Sequence, residues 1–313
     1  MNIRRKWDDF NEEFRSRYMD IGKPENVIIV AGMGRSGTTW VAEMINYDNT
    51  YRVMFEPFLA SLVREAEGFQ YIQYLRPYCT DSVLTNRARS ILAGKVRHEW
   101  VDERTHRIFY RRRIVKEIRC NLMLGWLKQI ANHPPIVLVI RHPLQVAASW
   151  RKLQWTREQL GIDSILAQET LLRDFPVIAD MQKWIDPQDF VENIVFQWCI
   201  VHLVPSLHLK QDEAYAIFYE NLLTELAHEI PKLFQYLNKP FSQKILPQIL
   251  SRPSWTNWLE RDFKQDRPSL LNSWKDEFST QQKRKVDSIL AAFELDHIYD
   301  KNGFPIGIPF FRD

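Results

Sequence analysis

The sequence predicts an α/β fold in which a central parallel sheet of five strands is flanked by helices on both faces. Five short runs carry this reading: Val27 to Ala31, Tyr51 to Phe55, Arg113 to Lys116, Ile136 to Ile140 and Ala214 to Phe218. They are rich in β-branched residues and nearly continuous in apolar character, as strands buried on both faces are. Helical-length segments lie between them, among them Thr38 to Tyr47, Leu122 to Asn132 and Pro143 to Leu153, and this alternation is that of strands linked by crossover helices. The first run also passes through a glycine-rich turn straight into a helix.

After the third crossover the pattern changes. Residues 155–208 read as mostly helical and belong to no strand pair, which makes them a helical cap over the strand ends that shapes an acceptor pocket. The chain is expected to form a single domain over residues 1–313, with residues 240–313 completing the ligand site. The tail contains a short self-similarity, Arg252 to Phe263 against Arg267 to Phe278, but two copies do not make a solenoid.

Composition narrows the class. There are 42 Lys and Arg against 39 Asp and Glu, a net charge of +3, so no broad basic surface argues for nucleic acid or membrane, and any anion site must be local. The first twenty residues are too charged for a signal peptide, and no later stretch is expected to span a bilayer, so a cytoplasmic protein is expected. Cys79, Cys120 and Cys199 show no metal-binding spacing and read as reduced thiols.

The turn after the first strand reads Ala31-Gly-Met-Gly-Arg-Ser-Gly-Thr-Thr-Trp40. Its glycines let the chain turn tightly, so that the amides of Ser36, Gly37, Thr38 and Thr39 and the helix N-terminus can form a nest for a phosphate. Gly32 and Gly37 have the separation of a Walker A loop, but Thr38 stands where that motif needs lysine, and the strand Ile136 to Ile140 ends in Arg141 in place of a metal-holding acid. Without that lysine and acid, cleavage between a β- and a γ-phosphate is poorly served. The expected fold is P-loop nucleotide-kinase-like, while the missing lysine and acid argue against an ATPase or kinase.

At this point the residues resemble the PAPS-dependent sulfotransferase family, in its bacterial and carbohydrate-like branch. That family's 5′-phosphosulfate loop is similar to Arg35-Ser-Gly-Thr-Thr-Trp40, and its 3′-phosphate motif is similar to Val137 to Trp150, a strand followed by Arg141, Pro143 and a helix carrying Ser149. Two looser likenesses extend it. Tyr219-Glu-Asn resembles a segment whose tyrosine contacts adenine, and Arg267 to Phe278 resembles a loop gripping the 3′-phosphate, keeping Arg267 but losing its Lys and both Gly. The resemblance implies PAPS as co-substrate and PAP as product, no metal, and a small-molecule acceptor. It implies that Arg35, Ser36, Gly37, Thr38, Thr39, Trp40, Arg141, Ser149, Tyr219 and Arg267 bind the nucleotide, with Trp40 stacking on the base.

Sulfuryl transfer is an in-line displacement in which the protein positions the reactants, meets charge on the leaving oxygen and removes a proton. Arg35 and Lys116 are the candidate cations, Lys116 because its strand resembles the family strand whose lysine approaches the bridging oxygen. The aryl and steroid branch carries a catalytic His two residues after that lysine, where this chain has Ile118, which cannot take a proton. Glu56, in Met54-Phe-Glu-Pro57 at the end of the second strand, is the candidate base, and burial there is expected to raise its pKa. His98, His106, His133 and His142 are rivals.

A basic run, Arg104, Arg107, Arg111, Arg112, Arg113, Lys116 and Arg119, is either a solvated face or, at Arg119, a hold on a polar acceptor. The loss of the aryl-branch His points to a small polar acceptor, a carbohydrate or a natural-product metabolite sulfated on a hydroxyl or amine. A non-catalytic PAP-binding protein remains open as the alternative, with a small-molecule kinase behind it.

Overall fold

Alternating side chains along the central strands divide the interior into two cores, one on each face of the sheet. The computed structural model describes residues 19–250, 271–272, 274–307 and 309–311. Its strands are β1 (Met19–Asp20), β2 (Val27–Gly32), β3 (Tyr51–Phe55), β4 (Phe109–Tyr110), β5 (Arg112–Glu117), β6 (Ile136–Ile140) and β7 (Ala214–Phe218). Five of them form one parallel sheet in the order β3-β5-β2-β6-β7, and β1 pairs with β4 in a separate two-stranded ribbon. The expected strands are present, with β2 and β5 slightly longer than the apolar runs alone indicate.

The helices that build the site are α1 (Thr38–Ile45), α2 (Pro143–Lys152), α3 (Phe190–His208), α4 (Tyr219–Thr224), α5 (Leu226–Tyr236) and α6 (Thr280–Ala292). On one face of the sheet Ile29, Met54, Val115 and Leu138 share a core with residues of α2, α3 and α6, α6 packing on α3. On the other, Val30, Val53, Ile114 and Val139 meet α1 and α5. This is the period-2 split expected of a sheet covered on both sides. α1 stops at Ile45, short of the expected Tyr47, because the Asn46 side chain accepts from the Tyr51 amide at 2.9 Å and donates to the Tyr51 carbonyl at 3.1 Å, closing the turn into β3.

α3 departs from expectation. With nineteen residues and a mean hydropathy of 1.4 it is long and apolar enough to cross a bilayer, yet it is buried inside the protein almost throughout. It is apolar all round because it packs against α2, α6 and the 3₁₀ turn Asn121–Met123 together.

At the N-terminal ends of the strands two arginines interrupt the apolar runs. Arg52 is fully buried and donates to Asp102, Asp20 and the carbonyls of Gly94 and Val96. Arg113 donates to both oxygens of Asp20 and to the carbonyls of Lys23 and Gly22. Each buried charge is thus paired and hydrogen-bonded, which is the condition for tolerating it. The opposite ends of the strands remain open, and there the loops converge.

Candidate active site

β2 delivers the chain into a turn whose shape two left-handed residues set, Arg35 at φ 73° and Gly37 at φ 96°. Gly37 caps α1, and a Cβ there would stand 2.7 Å from Cδ2 of Tyr219, so both backbone and neighbour require glycine. The Ser36 amide is not free for a ligand, because it closes the turn onto the Met33 carbonyl at 3.0 Å. Its hydroxyl is buried without a partner. The amides of Thr38 and Thr39 fall in the first turn of α1, where helix geometry leaves donors without intrahelical acceptors. An orphaned hydroxyl and first-turn amides beside a glycine cap fit an anion.

The second motif docks on the first. β6 ends at Ile140 and α2 begins at Pro143, so Arg141 leaves the sheet beside the turn. Its Nη1 donates to the Arg35 carbonyl at 3.0 Å, its Nε donates to Gln145 at 3.1 Å, and its guanidinium lies 4.3 Å from the centre of the Tyr219 ring. Arg35 in turn donates from Nε to the Ser149 hydroxyl at 3.0 Å. Ser149 and Arg141 thus both meet Arg35, the one at its side chain and the other at its carbonyl. Trp150 donates to the Gly34 carbonyl at 3.0 Å and Trp198 to the Arg141 carbonyl at 2.8 Å, so α2 and α3 hold both motifs in place. Trp40 is buried and packs edge-on against Tyr219 at 5.7 Å. Arg267 lies outside the described residues.

The third group comes from the ends of β3 and β5. Glu56, at φ 46°, accepts from Lys116 Nζ at 2.5 Å and from Arg119 Nη1 at 2.6 Å. Burial pushes the Glu56 carboxyl up, but the charges of Lys116 and Arg119 outweigh it and hold the pKa below the usual carboxylate range. This corrects the expectation of a raised pKa: the sequence suggests the burial of Glu56 but not that Lys116 of β5 and Arg119 just beyond it converge on it. Beneath them lies Glu117, fully buried, which accepts from the amides of Phe58, Ile118 and Arg119 and stands 3.5 Å from Arg119 Nη1. Burial and the neighbouring Glu56 raise its pKa against the pull of Arg119.

These groups share one cavity of about 460 Å³, lined by Arg35, Gly37 to Trp40, Arg141 and Tyr219 at one part and by Glu56, Lys116 and Arg119 at another. Among the described residues no histidine lines it. His142 caps α2, stacks on Trp274 at 4.3 Å and is pushed down to about 3 by burial and by the charges of Lys275 and Arg141. His98 accepts from the Trp100 amide as a helix cap, and His133 sits in a turn at φ 55°.

The rest of the wall carries no motif and was invisible to sequence reading. Tyr71, Trp100, Trp150, Trp155, Leu160 and Val201 make it largely aromatic and apolar. Tyr71 donates to the Gln159 carbonyl at 3.1 Å, and its ring fills the space a Cβ on Gly161 would need, so residues 155–161 close against the loop after β3. Gln197 of α3 donates to the Leu160 carbonyl at 2.7 Å, and its Oε1 has no partner. Glu117 was also missed, since one acid within a basic strand carries no signature of its own.

A family model for the sulfotransferase domain matches residues 25–297. No curated protein matches the chain. Among solved structures, the sulfotransferase domain from the curacin biosynthetic pathway is 14% identical over 87% of this chain and 99% of its own, with a TM-score of 0.49. The sulfotransferase domain of the Synechococcus olefin synthase is 15% identical over 89% of this chain and 96% of its own, at 0.48. A mouse sulfotransferase complexed with PAP is 15% identical over 90% of both chains, at 0.46.

Proposed function

The chain belongs to the sulfotransferase domain family, and from that premise we propose that it transfers a sulfuryl group from PAPS to a hydroxyl or amine of a small acceptor. The observation that carries the reading is that an anion-binding turn and a carboxylate held by two cations open into one cavity. PAPS supplies the sulfuryl group in activated form, as a mixed anhydride.

In this reading the residues of the turn, Ser36 to Trp40, hold the 5′ end of the nucleotide with Tyr219 beside them, and Arg141, Ser149 and Arg267 serve its 3′-phosphate. A new S–O or S–N bond forms to the acceptor as the bond from sulfur to the bridging oxygen breaks, and PAP leaves with the electron pair. Lys116 and Arg35 meet the charge developing on the leaving oxygen. Glu56 takes the acceptor's proton. Its lowered pKa keeps it in the carboxylate form at neutral pH, and a modest base suffices because a hydroxyl becomes strongly acidic only as its bond to sulfur forms. Lys116, released from Glu56 by that protonation, is then free to follow the charge on the leaving oxygen.

The walls favour one acceptor class. Tyr71, Trp100 and Trp155 offer faces for an apolar body, and the charge of Arg119 is already met by Glu56 and Glu117. Of the acceptors compatible with the sequence, a natural-product-like molecule with a mainly apolar frame fits better than a carbohydrate. Arg119 Nε, buried without a partner, is left to hold one polar group of it. The whole is the work of one domain, with residues 155–208 on the acceptor side and residues 240–313 completing the donor side.

The test is a thermal-shift assay with PAP in the absence of Mg²⁺, followed by incubation with labelled PAPS and a panel of apolar alcohols, phenols and amines. Ligand at a hundred times its dissociation constant stabilises by about 2.7 kcal/mol, a rise of several degrees in Tm. Stabilisation by Mg-ATP but not by PAP overturns the donor assignment, and PAP binding without transfer to any member of the panel overturns the catalytic one.

A further inference from the structure

The basic run of the sequence divides sharply in the structure. Arg104 pairs with Glu43 and Glu103, Arg113 with Asp20, and Lys116 and Arg119 with Glu56. Arg107, Arg111 and Arg112 are exposed, and none has a carboxylate partner among the described residues. Those same three arginines line a second cavity of about 480 Å³ at the N-terminal end of the sheet. Arg112 begins β5 and Lys116 lies four residues along it, so at about 3.3 Å per residue the two cavities are separated by roughly 13 Å of strand.

We infer that this second cavity is a non-catalytic binding site for a phosphate or sulfate monoester carried on a flat ring, held by Arg107, Arg111 and Arg112 with Phe109 against the ring. Three features of the cavity support that ligand. Among the described residues the one acid in its wall, Asp48, is neutralised from within: Lys239, itself buried, donates to it at 3.0 Å and Thr50 at 2.9 Å. The three guanidinium charges are therefore in surplus. They are also partly ordered before any ligand arrives, since Arg107 donates to the Asp48 carbonyl at 2.7 Å and Arg112 lies 5.9 Å from the centre of the Tyr51 ring. A planar guanidinium matches two oxygens of a phosphate or sulfate at once, which an ammonium does not. The ring preference comes from Phe109, which is 58% exposed on the cavity's rim although it belongs to a strand. An exposed aromatic beside arginines that have no carboxylate partner among the described residues suits a ligand that is anionic at one end and flat at the other.

The site does not depend on the proposed transfer reaction, and the experiment separates the two. The full chain, labelled with ¹⁵N, is titrated with phenyl phosphate and with inorganic phosphate at constant ionic strength set by chloride. The amides of Thr50, Arg111 and Arg112 report this site, and those of Gly37 to Thr39 report the donor site. Saturable shifts at Thr50, Arg111 and Arg112 are expected, with phenyl phosphate binding at least threefold tighter than inorganic phosphate. Phe109→Ala removes that difference, and Arg111→Gln with Arg112→Gln weakens phenyl phosphate at least tenfold while leaving shifts at Gly37 to Thr39 unchanged. Should the double variant fail to fold, Arg111→Gln alone, at an exposed residue between strands, must weaken binding at least threefold. Shifts confined to Gly37 to Thr39, shifts that never saturate, or a variant that binds as the parent does, overturn the inference.

Discussion

Replacing Glu56 by glutamine perturbs the candidate site at its most connected point. The substitution keeps the shape and one acceptor oxygen but removes the charge that both Lys116 and Arg119 meet at 2.5 and 2.6 Å. Breaking a buried pair from one side leaves an uncompensated charge and costs about 3–5 kcal/mol. The retained oxygen and the nearby Glu117, 3.5 Å from Arg119, place this case near the lower end, at about 3 kcal/mol. For a chain of 313 residues that is a fall in Tm of about 5 °C. The penalty is pH-dependent in a defined sense. Because the folded pKa of Glu56 is lowered, its stabilisation is complete above the unfolded carboxylate value of about 4.3 and is lost as the pH falls through the lower folded value. The Tm gap between parent and variant is therefore full at pH 7 and closes below about pH 4. Turnover, followed as PAP released from PAPS in the presence of an acceptor, drops by about 10²-fold or more, the usual contribution of a general base, while PAP still binds. A variant that turns over normally refutes the role of Glu56 as base, and a Tm gap that does not narrow in acid refutes the ion-pair account of its stability.

Other expectations concern the donor side and the core. Arg141→Lys keeps the charge but loses the fork that spans the Arg35 carbonyl and Gln145; at about 1.5–3 kcal/mol for a charge-assisted bond, calorimetry should find PAP bound about 10- to 100-fold more weakly, and a change within twofold argues against its placement. Gly37→Ala forces a Cβ to 2.7 Å from Tyr219 at φ 96°, costing about 1–2 kcal/mol for the backbone and about 1–3 for the overlap, so thermal unfolding should come several degrees earlier. Glu220 is fully buried, accepts from the His142 amide at 2.9 Å and from Tyr299 at 3.2 Å, and burial raises its pKa to about 7. Its contribution is present below the unfolded value of about 4.3 and is lost as the pH rises through 7, a swing of roughly 4 kcal/mol. Glu220→Gln abolishes that swing, so its Tm relative to the parent should climb between pH 5 and pH 8.

The strands and the glycine turn after β2 were legible because each rests on local chemistry. Val27 to Gly32 is apolar throughout and must be covered on both faces, and Gly37 has a backbone angle that few other residues adopt. Arg141 could be placed beside that turn because a parallel sheet brings the ends of β2 and β6 together whatever lies between them in the chain. Glu56 was found in the same way, at the end of a strand.

Local sequence carried the sheet, the glycine turn after β2 and the identity of the charged groups, since these follow from patterns within a few residues. Tertiary structure alone decided what each charge meets. Glu56 is about sixty residues from Lys116 and Arg119 in the chain, and only their convergence lowers a pKa that burial by itself would raise. It also decided the aromatic wall, because Tyr71, Trp100 and Trp155 lie on loops and short helices with no shared periodicity, and which of seven basic residues lack a carboxylate partner among the described residues. Electrostatic and packing energies depend on distances through space, and distances between segments remote in the chain are not written in local sequence.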